Sequence, residues 1–199
     1  MINPGRTALT RVRWGGVAVV LASISYGAAG LLHNPDAPEL VTCTVLPVLK
    51  FAIPALFLGG LAGLHCRLLL GAGSSLTSSA GFLLGYLGTT LGAIDAVGLE
   101  RSYFGQTGIG GWWWALLFAG LTLTGLANTV KGGLRALGAV MLASGTLGWV
   151  SILTDPAFPG VLVPTRPVHV AFAALFCVSA TVLGLVLLSG PPSLAPRQR

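Results

Sequence analysis

Six apolar stretches, roughly 14–33, 45–66, 78–98, 112–130, 134–153 and 162–188, run through the chain, and short polar or turn-forming connections separate them. Each is long enough to cross about 30 Å of hydrocarbon at about 1.5 Å of helix rise per residue. The pattern predicts an all-α integral membrane bundle of six transmembrane helices. A basic tail over 1–13 precedes the membrane domain over 14–188, and a Pro/Arg tail over 189–199 follows it. The first stretch, with Arg6, Arg11 and Arg13 ahead of it and small residues at Gly27, Ala28 and Ala29, also has the outline of a signal peptide. Its full span length and its recurrence later in the chain favour retention.

Glycine and Asx positions suggest three copies of one hairpin. With Gly27, Gly88 and Gly148 aligned, Asn34, Asp95 and Asp155 follow seven residues later. The first and third copies match further: Leu21-Ala22-Ser23 parallels Leu142-Ala143-Ser144, and Asn34-Pro35 parallels Asp155-Pro156. The physical sense is that Pro and Asx end a helix where the backbone re-enters water. Gly59 with Gly63, and Gly81, Gly85, Gly88 and Gly92, have the small-xxx-small spacing that lets helices approach closely in lipid.

Composition narrows the class. The chain has 199 residues, 54% of them hydrophobic and only 8% charged, with a mean hydropathy of +0.85. Six spans leave only loops and tails, so no soluble catalytic domain is expected. The charge of +6 is distributed by side. Asp36, Glu39, Asp95, Glu100 and Asp155 fall at the first, third and fifth connections. Arg6, Arg11, Arg13, Arg67, Lys131, Arg135, Arg197 and Arg199 fall in the tails and at the second and fourth. By the positive-inside rule both termini are cytoplasmic, in a plasma (inner) membrane of bacterial type, and the hairpins are parallel repeats. The bases serve orientation and lipid headgroups, so nucleic acid is not an expected partner.

Few side chains carry candidate chemistry. Lys50 and Asp95 lie near the outer boundary at similar depth. They fit either an ion pair lining an outward-facing pocket or a snorkelling lysine beside a helix-closing aspartate. His169 could join Asp155 and Lys50 in a proton-handling cluster, or simply bond a carbonyl at the interface. Trp112, Trp113 and Trp114 open the fourth stretch. They read as an aromatic belt in which rings about 100° apart turn at least one indole towards the bundle or another protein. The loop before them, with Glu100, Arg101, Tyr103, Phe104 and Gly105 to Gly111, is a candidate contact surface.

Cys43, Cys66 and Cys177 lie at different depths and predict no disulfide, and no cysteine–histidine cluster offers a metal site. His33 and His169 sit at helix ends, which argues against a haem between them, and no cofactor is expected. Nucleophile elbows, zinc-protease, phosphate-loop and dinucleotide signatures are absent. Two functions remain in front. One is a small-solute, ion or lipophilic-ligand transport or binding protein with a pocket lined by Lys50, Asp95, Asp155 and His169. The other is an accessory or scaffold subunit of a larger membrane complex, with the tryptophans at the contact. A lipid-modifying enzyme with His169 as base and Asp155 as its orienting group is a weaker third.

Overall fold

A computed structural model describes residues 4–32, 44–71, 75–97, 112–130, 134–154 and 166–189. They form six helices: α1 (Pro4–Leu32), α2 (Leu46–Gly71), α3 (Leu76–Ala96), α4 (Trp112–Thr129), α5 (Arg135–Leu153) and α6 (Arg166–Leu188). Four of these, over Thr7–Ala29, Leu46–Leu70, Arg135–Leu153 and Pro167–Leu188, are long and apolar enough to cross a membrane. The chain is a multi-pass helical membrane protein. The other two, α3 and α4, are diluted by serine, threonine, asparagine and glycine, several of which face neighbouring helices: Ser78, Thr89, Thr124 and Asn128 are buried.

Helix ends differ from the apolar boundaries for physical reasons. Pro4 starts α1 in the first turn, where a missing N–H costs nothing. The helix then takes in Thr7, Thr10, Arg11 and Arg13, residues that the apolar pattern assigns to a tail. Hydropathy marks the slab of hydrocarbon, whereas backbone hydrogen bonding continues beyond it. Ser75 caps α3, its hydroxyl accepting from the Ser78 N–H at 3.2 Å. Pro54 lies inside α2, which a packed membrane helix tolerates.

The helices close into a ring. Each packs against the next in sequence, α6 returns to α1, and α2 touches α6 across the middle. Neighbours run antiparallel, as Gly15 beside Gly63 and Ala18 beside Gly59 show for α1 and α2. At several contacts two backbones meet with no side chain between them. A Cβ on Gly15 would lie 2.5 Å from Gly63 Cα, and one on Gly16 would lie 2.7 Å from the Gly184 carbonyl oxygen. Backbone also faces backbone where Gly120 meets Gly81 and Gly85, and where Gly125 and Gly138 join α4 to α5.

Gly63→Ala places a methyl 2.6 Å from Gly15 Cα and is expected to cost about 1–3 kcal/mol by overpacking. Gly27→Ala meets only Cys177 Sγ at 3.7 Å and is expected to change stability by less than about 0.5 kcal/mol. Thermal unfolding in mild detergent compares them. Equal losses would mean that helix–helix contact does not set the cost.

Candidate functional site

The middle of the ring is filled. Tyr26 of α1, Phe57 of α2, Trp114 and Phe118 of α4 and Phe176 of α6 converge there. Tyr26 meets Trp114 edge-on at 4.9 Å and Phe176 at 5.5 Å. Phe57 meets Trp114 at 6.0 Å, and Phe118 meets Phe176 at 4.9 Å. These are the offset and edge-to-face arrangements that ring quadrupoles favour. Next to them, Val19, Leu61, Leu64, Leu117, Leu121 and Leu183 surround a void of only about 10 Å³, room for at most a single water.

The three tryptophans fan out as their spacing demands. Trp112 is exposed, and Trp113 is buried against Gly92 of α3. Trp114 turns into the aromatic centre. Of the three, Trp112 alone is exposed.

Three of the four ionisable candidates fall among the described residues. Lys50 is exposed on α2, and Asp95 is half-buried in the last turn of α3. His169 is half-buried near the start of α6, its Nδ1 2.9 Å from the Ser151 carbonyl oxygen of α5. A carbonyl only accepts, so Nδ1 is the donor. Asp155 lies outside the described residues, as do Cys43, His33 and the loop from Glu100 to Gly111. Neither described cavity is lined by Lys50, Asp95 or His169.

The remaining polar groups stitch helices together. Asn128 Nδ2 donates to the Thr124 carbonyl at 2.7 Å and reaches Ser78 Oγ of α3 at 3.4 Å. Ser144 Oγ donates to the Val140 carbonyl at 2.8 Å, so the Ser179 hydroxyl of α6 donates to Ser144, 2.6 Å away. His65 stacks on Phe82 at 4.5 Å and lies 3.3 Å from the Tyr86 hydroxyl. Ser23, Thr122 and Thr154 donate to carbonyls four residues back in their own helices, a standard way to satisfy a hydroxyl inside a helix. Among the described residues no nucleophile stands beside a base with its own orienting group, the arrangement that acyl or phosphoryl chemistry needs.

The larger cavity is a groove of about 840 Å³ on the outside of the ring, between α1 and α2. Gly15, Ala18, Ala55, Gly59, Ala62 and Gly63 floor it; Trp14 flanks it, and Thr7, Thr10 and Arg11 line one end. The sequence pattern points to Gly59 and Gly63 as packing residues, and the two divide: Gly63 is buried against Gly15, while Gly59 is exposed in the groove. Periodicity at Gly59 and Gly63 signals an open face, but the other wall belongs to α1, about 45 residues away in sequence. No family model, curated protein or solved structure matches the chain.

Trp114→Ala, at a half-buried position in the aromatic centre, is expected to lose about 2–4 kcal/mol, somewhat below the usual cost of emptying a fully buried tryptophan site. Trp112→Ala, at an exposed position, is expected to lose less than about 1 kcal/mol. Comparable shifts in the unfolding midpoints of the two variants would contradict the filled centre.

Proposed function

We propose that the chain crosses the membrane six times with both ends cytoplasmic, and that it serves as a non-catalytic accessory or scaffold subunit of a larger membrane complex. Support for six crossings comes from packing. α3 and α4 contact each other and sit between α2 and α5, which have the length and apolarity to span. With 21 and 18 residues, they cover about 31 and 27 Å at about 1.5 Å per residue, close to the thickness of the hydrocarbon core. Support for the orientation comes from charge: Arg11, Arg13, Arg67 and Arg135 gather at one end of the antiparallel ring, and Asp95 lies at the other. A plasma (inner) membrane location follows from the same reading.

The observation that carries the accessory role is the filled centre. Transport through the ring, or a ligand held within it, needs a hollow; among the described residues the aromatic rings meet at the centre, and the void beside them holds about 10 Å³. A pocket lined by Lys50, Asp95, Asp155 and His169 draws no support from either described cavity. The lipid-modifying alternative asks a carboxylate to orient His169, whereas the Ser151 carbonyl takes the Nδ1 proton. What stays available is the outer surface, where Leu83 and Leu87 of α3 and Leu175, Val178, Val182 and Leu185 of α6 are exposed. The threefold hairpin remains part of the proposal. Gly27 and Gly148 each meet the second helix of the hairpin beside theirs in the ring, α6 and α4, while Gly88 meets α4 of its own. That agrees with the closer match of the first and third copies.

Two measurements test the reading. Single cysteines at Val97 and Arg135, both exposed, are expected to react with an impermeant maleimide from opposite sides of sealed vesicles; reaction from one side would remove α4 as a crossing. A photo-crosslinking side chain at Leu83, Leu175 or Val178 is expected to yield an adduct with one distinct second polypeptide in native membranes. Lipid adducts alone at all three positions would end the accessory reading.

A further inference from the structure

We infer that the α1–α2 groove is a binding site for one anionic glycerophospholipid, drawn from the leaflet that holds the N-terminal end of α1. This inference goes beyond the accessory role and rests only on the membrane placement.

Length comes first. The lining residues run from Thr7 to Ala18 on α1 and from Cys66 back to Ala55 on α2, about 17 Å along each helix at about 1.5 Å per residue. One leaflet contributes half of a hydrocarbon core of about 30 Å. The groove therefore matches a single leaflet. It ends where the next positions on the same faces carry large side chains: Leu21 and Phe51 are both exposed. A transmembrane helix lying in the groove would meet them halfway across, whereas an acyl chain ends there.

Polarity runs the same way. The deep end is floored by glycine and alanine, of which Ala55, Gly59 and Ala62 are exposed and give a chain smooth contact. The shallow end carries Arg11, Thr7 and Thr10. Trp14, 68% exposed, stands at the level where indole favours the headgroup zone.

Charge decides between lipids. Arg11 is exposed, and neither α1, α2 nor α6 contains an acidic residue. Asp95 of α3, the acidic residue of the remaining neighbour, sits at the opposite end of the ring. The counter-anion of Arg11 has to come from outside these helices, and a lipid phosphate at that depth supplies it. Arg13 and Arg67 raise the positive potential at the same end. A zwitterionic lipid offers the same phosphate with a compensating amine, so a net negative headgroup is preferred.

Native mass spectrometry of the full chain, titrated with phosphatidylglycerol or with phosphatidylcholine of the same acyl chains, tests the site. The first phosphatidylglycerol is expected to be retained roughly fivefold more than the first phosphatidylcholine, the factor that one arginine near a membrane surface contributes. Arg11→Gln is expected to abolish that preference, while Arg135→Gln, at an exposed arginine of α5, keeps it. Ala62→Leu is expected to lower first-lipid retention for both headgroups, with Ala55→Leu as the second floor variant should the first not fold. Equal retention of the two lipids, equal effects of Arg11→Gln and Arg135→Gln, or full retention by folded floor variants would each overturn the site. So would a dimer that Ala62→Leu converts to monomer, since a second copy would then occupy the groove.

Discussion

Backbone-to-backbone contact at glycine is the constraint on which the bundle depends. Lipid tails are as apolar as leucine, so burying leucine between membrane helices gains little over leaving it in lipid, and association has to come from close packing and interhelical hydrogen bonds. Glycine supplies the first by letting helix backbones touch. Gly15 against Gly63 fixes α1 to α2, Gly16 against Gly184 fixes α1 to α6, and Gly120 against Gly81 and Gly85 fixes α4 to α3. In water these residues would weaken their helices; in hydrocarbon no solvent competes for the backbone hydrogen bonds, and the penalty shrinks.

The second means of association explains why α3 and α4 are less apolar than their companions. Some of their polar groups bond between helices, as Asn128 reaching Ser78 and Thr124 reaching the Ser78 carbonyl at 3.5 Å illustrate, while Thr89 and Thr122 bond carbonyls of their own helices. Ser144 and Ser179 perform the same service for α5 and α6. On α3, Ser78 and Thr89 are turned to the packed side, while Leu83 and Leu87 are exposed on the outer face together with Thr77, Ser79 and Thr90. Average hydropathy, which ignores direction, understates such a helix.

Much of the fold was legible because apolar runs broken by proline and Asx residues are unambiguous over this length. Helix number and order, and the fan of Trp112, Trp113 and Trp114, could be read from spacing alone. The start of α1 could not, because Arg11 and Arg13 interrupt the apolar pattern without interrupting the helix. Nor could the groove. Its walls come from helices whose register is set by tertiary contact, and nothing local to Gly59 says that this glycine stays open while Gly63 closes. Lys50, Asp95 and His169 stand out in an apolar chain by rarity alone, and rarity along a sequence says nothing of the distances between side chains.

Closure of the ring through α6 and α1 has a consequence for how the protein is made. Ribosomes deliver α1 first and α6 only after the four helices between them, so the face carrying Gly16 and Val20 waits uncovered through most of synthesis. A contact between such distant parts of a chain is slow to form. During that wait, the insertion machinery or a neighbouring nascent polypeptide has first access to the same glycine-rich seam. Assembly with other proteins, if it uses that seam, is a matter of timing relative to translation as well as of affinity.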